Sequence, residues 1–334
     1  MYEAESDATY AIRVRAPARL HFGFLDLNGS LGRRFGSLGL ALDDPAAELL
    51  ILRAPDGPAP VQENERIARI VQLACAFLKV SDRFDVRLKA EIPAHAGFGS
   101  GTQLALGIVS GVAELLGKSL DLRKAAAALD RGNRSGVGLA AFSGGGFILD
   151  GGRDQTGEPP PILSRLNFPE PWRVLLILDE REDGIHGTAE AAAFRDLPPF
   201  PQSEAASLCR IAVMQVLPAL ALGDIGSFGR GITEIQRRLG DHFAPFQGGG
   251  RFTSPAVAAA LSRLEAMGVE GVGQSSWGPT GFAILASEKD ACQAVEELGR
   301  HADESLRFLV TRGRNRGADI IKLDRSALEE RLIR

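Results

Sequence analysis

A glycine-rich stretch in the first third of the chain has the residue types that bind phosphate. It runs from Pro93 to Gln103 and leads directly into an apolar pattern of helical spacing. Glycine has no Cβ to block a ligand, and the free N–H groups at a helix N-terminus attract negatively charged oxygen atoms. The stretch is therefore predicted to bind phosphate or pyrophosphate, and the alternative is a structural turn capped by Ser100 or Thr102. The predicted contacts are Gly97, Gly99, Ser100, Gly101, Thr102 and Gln103.

Two pairs of basic residues could supply the positive charge that such a ligand needs. Strand alternation places Arg19 and His21 on one face of a strand, close to a turn signal at residues 28–29. This face is expected to contact an anion, although a solvated strand face is the alternative. Further along the chain, Arg131 and Arg134 are spaced so that they could clamp one phosphate.

Two further polar segments are candidates for function. Asp179, Asp183 and His186 follow a buried strand, where functional loops are common. They could act as acid/base groups or metal ligands, and a solvated charged turn is the alternative. The basic segment 312–317 either reaches the site, which we favour, or forms a solvated end.

The composition restricts the class of partner. The chain has 334 residues, 45% of them hydrophobic, and a net charge of −4, which does not favour nucleic acid or an anionic membrane. No apolar run approaches the length of a membrane span, and the acidic start does not resemble a signal sequence. Three isolated cysteines indicate reduced core residues rather than a disulfide framework or a zinc site. We therefore expect a cytoplasmic protein with small-molecule ligands.

The patterns along the chain predict an α+β protein with two lobes, at residues 1–160 and 161–334. The glycine-rich stretch lies between a strand over 84–89 and a helix that ends near residue 117, a context that favours anion binding. Residues 131–138 and 142–146 read as glycine-rich loops. The other predicted strands are 10–27, 37–42, 147–149, 173–178, 282–285 and 306–311, and the other predicted helices are 65–80, 122–129, 204–222, 225–239, 255–267 and 289–300.

Three segments, in this order, resemble the GHMP kinase superfamily. They are Ala16–Gly23, Pro93–Gln103 and Ser275–Gly281, and they extend over nearly the whole chain. The resemblance implies a two-lobed GHMP-kinase-like fold, with an N-terminal ribosomal-S5-like α/β lobe and a C-terminal ferredoxin-like α+β lobe. It also implies a ligand in the cleft, with its phosphates on the central glycine loop.

Two positions differ from the kinase pattern. Many family kinases have a serine at the place of Gly101 that helps to hold Mg²⁺, and some have a catalytic aspartate at the place of Gly138. Glycine cannot orient or deprotonate an acceptor hydroxyl. Because some family kinases lack this base, an ATP-dependent small-molecule kinase remains the alternative. A phosphate-ligand sensor on a decayed kinase fold is a third interpretation.

Segments 17–26, 97–103 and 273–280 are more similar to the branch formed by β-ribofuranosylaminobenzene 5′-phosphate synthases. The Arg-Leu-His run and the Gly-Gln-Ser-Ser-Trp-Gly-Pro-Thr run are the most specific parts of this resemblance. It implies a decarboxylating pentosyltransferase that condenses 4-aminobenzoate, or 4-hydroxybenzoate, with phosphoribosyl pyrophosphate. The implied products are β-ribofuranosylaminobenzene 5′-phosphate, CO₂ and pyrophosphate, in tetrahydromethanopterin biosynthesis.

This resemblance also implies roles for residues. The loop amides would stabilise the departing pyrophosphate and Mg²⁺ would share its charge, with Asp26 or Thr102 as candidate ligands and no use of ATP. Arg19, as an anion-binding group, and His21, as a hydrogen-bonding or proton-handling group, would be the catalytic residues. Trp277 is equally compatible with a plain core position. A homodimer is expected. The implied substrate-binding residues are Arg134, Ser135, His186, Ser275, Ser276, Trp277 and Thr280.

Overall fold

The computed structural model describes residues 10–54, 62, 64–81, 83–181, 184, 187–301 and 303–324, with the backbone only at 188–191. These residues form one sheet of six strands and one of four, with helices packed on and between them. Strand pairs are antiparallel in both sheets. The predicted α+β class with two lobes is confirmed.

The first sheet is built around a long hairpin. Its strands are β1 (Ala11–Asp26), β2 (Phe35–Arg53), β3 (Phe84–Ala90), β4 (Phe147–Asp150), β5 (Ile162–Leu166) and β10 (Asp319–Leu323), numbered along the chain. The order is β10-β1-β2-β4-β5, and β3 also pairs with β2. The register of β1 against β2 shifts between Pro17 and Arg19 and again between His21 and Gly23. Such bulges redirect side chains next to active sites.

Four helices belong to the first lobe: α1 (Glu65–Leu78), α2 (Ser100–Leu115), α3 (Leu122–Ala128) and α4 (Val137–Gly144). Helix α2 packs on β1 and β2, and the other three helices contact it. Helix α1 begins where the Asn64 side chain accepts a hydrogen bond from Ile67 N, at 2.8 Å, and it buries a stripe at residues 67, 70, 74 and 78.

Helix α4 differs from the loop predicted at this position. Residues 137–142 are all buried, so the segment has no polar face and no amphipathic period that could reveal a helix. The glycines on either side favoured a loop instead. The helix matters for the site because it follows Arg134 and holds Gly138 against Thr102.

The second sheet has the order β7-β8-β6-β9. Its strands are β6 (Arg173–Asp179), β7 (Gly271–Gln274), β8 (Gly281–Leu285) and β9 (Leu306–Thr311). The remaining helices are α5 (Gly187–Asp196), α6 (Gln202–Ile211), α7 (Leu217–Leu222), α8 (Ile225–Phe243), α9 (Pro255–Ala266) and α10 (Glu288–Gly299). Helix α8 contacts β7 in one sheet and β1 in the other, so it connects the lobes.

The chain returns to the first sheet after residue 160. Strand β5 pairs with β4 and strand β10 pairs with β1, so the first sheet extends beyond the predicted boundary at 160. In the basic segment 312–317, Arg314 is 2% exposed and pairs with Asp43 at 3.1 Å and with Asp319 at 2.9 Å. This arginine holds the link between β9 and β10, and the preference for a segment that reaches the site is wrong for it.

The cysteines and one apolar helix differ from what the sequence analysis predicts. Cys209 and Cys292 are exposed, so the prediction of core cysteines fails for them, whereas Cys75 is half-buried.

The helical stretch Gln202–Leu222 is long and apolar enough to cross a membrane by length and composition alone. Its residues Leu208 and Val216, however, are fully buried in the protein core. One such helix is weak evidence for a membrane span, because core helices of soluble proteins can have the same length and composition.

Candidate functional site

The glycine-rich stretch forms the N-terminus of α2. Gly99 has a φ of 76° and its carbonyl accepts from Thr102 N and Gln103 N, so it starts the helix in a conformation that favours glycine. The N–H groups of Ser100 and Gly101 have no acceptor among the described residues. The predicted strand–loop–helix context is confirmed, and it leaves two amides available to an anion.

Arg19 lies against this loop. Its backbone N–H donates to Phe98 O at 3.1 Å, and its guanidinium donates to Gly97 O. A Cβ atom at Gly99 would lie 3.1 Å from Arg19 Nε. The bulge that follows Pro17 therefore brings the predicted anion-binding arginine to the predicted phosphate loop.

His21 is held as a neutral hydrogen-bond donor. The ring is 2% exposed, and Nδ1 accepts from Gly23 N at 3.2 Å, so the proton of the neutral ring is on Nε2. Burial, together with the positive charges of Arg19 and Arg134, holds the pKa of His21 well below its usual value. No described residue accepts from Nε2. Of the predicted roles, this geometry fits the hydrogen-bonding one.

An aromatic cavity of about 30 Å³ adjoins His21. The centre of the Trp277 ring lies 4.6 Å from that of Phe194 and 4.8 Å from that of Phe243, and Phe24 packs edge-on against His21. The Trp277 N–H is buried with no acceptor among the described residues. Trp277 is thus both a core residue and a cavity wall, as the two open interpretations allowed.

Ser275 connects the second glycine-rich loop to the first. Its hydroxyl accepts from His21 N at 3.1 Å and donates to Gly97 O at 2.7 Å. Ser276 N donates to His21 O, and Ser276 also lines the aromatic cavity. Ser275 therefore positions the backbone, whereas Ser276 is placed to contact a ligand.

Three other predicted contacts are engaged or buried elsewhere. Gln103 is fully buried and donates to Gly138 O at 2.8 Å, so it lies beneath the loop and not on its ligand side. The Ser135 hydroxyl donates to the buried Asp150 carboxylate at 3.1 Å. Thr280 is fully buried behind the second loop. His186 lies outside the described residues, as does Asp183.

Asp150 and Asp179 are structural carboxylates. Burial raises the pKa of Asp150, which accepts from Ser37, Ser135 and the N–H groups of Gly136 and Gly152. Asp179 accepts from Ser254 Oγ at 2.7 Å and from Arg181, and it lines a different cleft between α9 and β9. Both carboxylates are occupied by these donors, so neither takes the place of a kinase aspartate.

The described residues do not fit a Mg²⁺ ion held by the protein. Asp26 accepts from the N–H groups of Asn28 and Gly29 and closes the hairpin turn. No group of three acidic, histidine or cysteine residues in the described part of the chain could hold a metal. Arg19, Arg66 and Arg131 lie beside the loop, and their positive charges disfavour a cation there. We therefore derive no step through a protein-bound metal.

Two more arginines lie at the loop: Arg131, predicted above to clamp a phosphate with Arg134, and Arg66, which the sequence analysis missed. A Cβ atom at Gly101 would be 3.3 Å from both Arg66 Nη2 and Arg131 Nη1. Burial and the positive charges of Arg66 and Arg69 lower the pKa of Arg131. Arg66 and Arg69 look like the polar face of an amphipathic helix, and only their three-residue spacing indicates that they share a side of α1.

Comparison with known proteins agrees with this geometry. Residues 65–146 match the GHMP kinases N terminal domain, and residues 216–304 match GHMP kinases C terminal. A β-ribofuranosylphenol 5′-phosphate synthase of Methanothermobacter thermautotrophicus is 32% identical, over 92% of this chain and 98% of that protein. A protein of the same name from Archaeoglobus fulgidus is 31% identical, over 92% and 99%. The chain belongs to the GHMP kinase superfamily, in the same family as these synthases.

Solved structures show how widely this GHMP fold is shared. Homoserine kinase of Cytophaga hutchinsonii aligns with a TM-score of 0.63 at 18% identity, over 96% of this chain and 99% of that one. Mevalonate diphosphate decarboxylase of Staphylococcus aureus aligns with a TM-score of 0.68 at 13% identity, over 94% and 98%. At such identities the likeness shows the fold alone. The two synthases are more similar in sequence to this chain than these structures are, and both are named as enzymes.

Proposed function

We propose that the chain is a decarboxylating phosphoribosyltransferase. It joins phosphoribosyl pyrophosphate to a para-substituted benzoate, either 4-hydroxybenzoate or 4-aminobenzoate, and releases CO₂ and pyrophosphate. The observation that carries the proposal is the aromatic cavity beside His21, which adjoins the anion-binding loop through Ser275 and Gly97. The names of the two curated relatives support the phenol product, and the amine product differs only at the para substituent.

The bond changes balance without a base. The bond from ribose C1′ to pyrophosphate breaks, and ring carbon 1 of the benzoate attacks C1′. The bond from that ring carbon to the carboxylate then breaks, its electron pair restores the aromatic ring, and CO₂ leaves. Because no proton leaves the acceptor carbon, the reaction does not need the aspartate that Gly138 replaces.

The residues of the site suit these changes. The N–H groups of Ser100 and Gly101 and the guanidinium of Arg19 stand where the negative charge of pyrophosphate grows. His21 Nε2–H and the Trp277 N–H donate to oxygen atoms of the acceptor. We place Mg²⁺ on the diphosphate of the incoming substrate, as part of that substrate.

The cavity must open for the acceptor to bind. An apolar cavity of about 150 Å³ binds benzene, and this is several times the volume of the cavity between Trp277 and His21. Phe194 is half-buried and comes from α5, and the Arg134 guanidinium covers its ring at 4.9 Å. We propose that Phe194 moves aside and that Arg134 then faces the acceptor carboxylate.

The test uses purified protein with phosphoribosyl pyrophosphate and each benzoate, labelled at the carboxylate. We expect CO₂ and pyrophosphate to form in equal amounts, and pyrophosphate should not form without the benzoate. A preparation that binds both substrates yet releases no CO₂ contradicts the proposal. ADP formation from ATP in the presence of an acceptor would support the kinase alternative. Light scattering on the same sample tests the proposed homodimer.

A further inference from the structure

Arg66 and Arg131 meet at the first turn of α2, and Arg69 lies close enough to lower the pKa of Arg131. We call these three residues the arginine cluster. Arg66 and Arg69 come from α1, and Arg131 follows α3. The guanidinium groups of Arg66 and Arg131 both approach within 3.3 Å of the place that a Gly101 Cβ would occupy. A side chain at Gly101 would therefore fill the space that the cluster surrounds.

The cluster has more positive charge than its neighbours offset. Arg66 faces Glu91 at 3.7 Å, but that carboxylate is 54% exposed and contributes little. Asp130 offsets part of the charge of Arg131, so two carboxylates are set against three guanidinium groups. Arg131 Nε is buried and has no acceptor among the described residues. Arginine donors that are buried without an acceptor cost stability, so such an arrangement persists when a ligand supplies the missing oxygen atoms.

We propose that the arginine cluster binds the pyrophosphate group of phosphoribosyl pyrophosphate. Its guanidinium groups and the two free amides of α2 provide donors for several oxygen atoms, which suits two phosphoryl groups better than one. The assignment to this substrate rests on the proposed function, whereas the binding of inorganic pyrophosphate does not.

The cluster also gives the reaction a direction along the loop. Gly97 contacts Ser275 on the side of the aromatic cavity, whereas Gly101 contacts Arg66 and Arg131. Arg19 lies between them, at Gly99. Pyrophosphate therefore leaves towards Gly101 while the benzoate approaches from the cavity, so that C1′ lies between its leaving group and its nucleophile.

The experiment measures the affinity for inorganic pyrophosphate and for ribose 5-phosphate by calorimetry, without turnover. Arg66→Gln and Arg131→Gln are each expected to weaken the binding of pyrophosphate about tenfold or more. This is the effect of losing a charge-assisted hydrogen bond. Both variants should leave the affinity for ribose 5-phosphate within about twofold. Arg263→Gln is the matched control, because Arg263 pairs with Glu297 between α9 and α10 and loses the same charge.

The outcomes separate this proposal from the proposed function. Unchanged pyrophosphate affinity in Arg131→Gln overturns the cluster assignment, and so does an equal loss for ribose 5-phosphate, which would place the monophosphate there. Arg66→Gln guards against misfolding, because Arg66 lies in the first turn of a surface helix. If the wild-type protein binds pyrophosphate through the cluster but forms no CO₂, the site stands and the proposed reaction falls.

Discussion

His21 works as a fixed donor because its other ring nitrogen is already engaged. Gly23 N occupies Nδ1, so the neutral ring presents Nε2–H to the cavity side of the loop. Burial disfavours a charged imidazolium at this place, and the positive charges of Arg19 and Arg134 add to the effect, so the pKa of His21 is held low. The same residue therefore has a donor available for an oxygen acceptor, and it makes the fold sensitive to acid.

The acid sensitivity of His21 can be measured. The unfolded chain protonates this histidine near pH 6.5, whereas the folded protein resists protonation until a lower pH. The free energy of unfolding is thus fully retained above about pH 7, and it falls below pH 6.5 by up to about 1.4 kcal/mol per pH unit. His21→Gln keeps an N–H donor and should flatten this slope. Denaturant titrations between pH 5 and 7 measure this dependence. The same slope in the wild type and in His21→Gln would show that His21 does not cause the acid sensitivity.

Gly99 offers a second test at the scale of one residue. Gly99→Ala places a methyl group 3.1 Å from Arg19 Nε and should lower kcat/KM about tenfold or more, because Arg19 must shift. Gly117 has a similar φ of 62° but nothing within 4 Å of its Cβ position. Gly117→Ala therefore imposes the same backbone strain without the contact. Equal losses of activity in the two variants would remove Arg19 from the site.

At the scale of elements, the site depends on how the first turns of α1 and α2 meet. Asn64 caps α1 through Ile67 N, and Arg66 lies in the turn that this bond holds. Asn64→Ala should lower the free energy of unfolding by about 1 kcal/mol. It should also lower the affinity for inorganic pyrophosphate, because Arg66 is no longer held in place. Ser287→Ala, which removes the equivalent cap of α10, is the control that should lose stability alone. Equal pyrophosphate affinity in both variants would contradict this dependence.

Arg131 makes an opposite prediction for stability. Burial and the charges of Arg66 and Arg69 disfavour its charged form more than Asp130 favours it, and its Nε has no acceptor among the described residues. Arg131→Gln should therefore leave the melting temperature unchanged or higher in the absence of ligand, whereas a structural arginine such as Arg314, which pairs with two aspartates, should lower it on the same change. A clear loss of stability in Arg131→Gln would show that the residue serves the fold.

These elements also show what a sequence can predict and where it stops. The glycine loop and its helix follow from local spacing, and Arg19 from a motif on a strand, so both were found. Arg66 was missed because an amphipathic helix does not reveal what lies opposite its polar face. Helix α4 was missed because it is buried on all sides. Strand β10 returns to pair with β1, and residues as far apart as Ala11 and Leu323 pair there, which no local pattern encodes.

At the scale of the whole molecule, the two lobes share one core. Phe22 in β1 packs edge-on against Phe282 in β8 with ring centres 4.9 Å apart, and Phe147 joins them from β4. Helix α8 contributes Phe228 to the same cluster. The hydroxyl of Ser275 and the side chain of Gln236, which donates to Phe22 O, add polar links between the sheets. The candidate site therefore lies at the edge of a hydrophobic core that both lobes share.

A shared core predicts that the lobes unfold together. Phe282→Ala should lower the free energy of unfolding by about 3–5 kcal/mol. The protein should still unfold in one cooperative transition, at a lower temperature, and not in two. The control is Leu261→Ala, which removes a buried side chain from the separate core between α9 and the second sheet and does not touch the first lobe. Calorimetry with intrinsic fluorescence distinguishes the cases. Two resolved transitions in the Phe282 variant, with the first sheet still folded, would mean that the lobes are independent. A single transition would mean that the loop, His21 and the arginine cluster keep their relative positions until the whole protein unfolds.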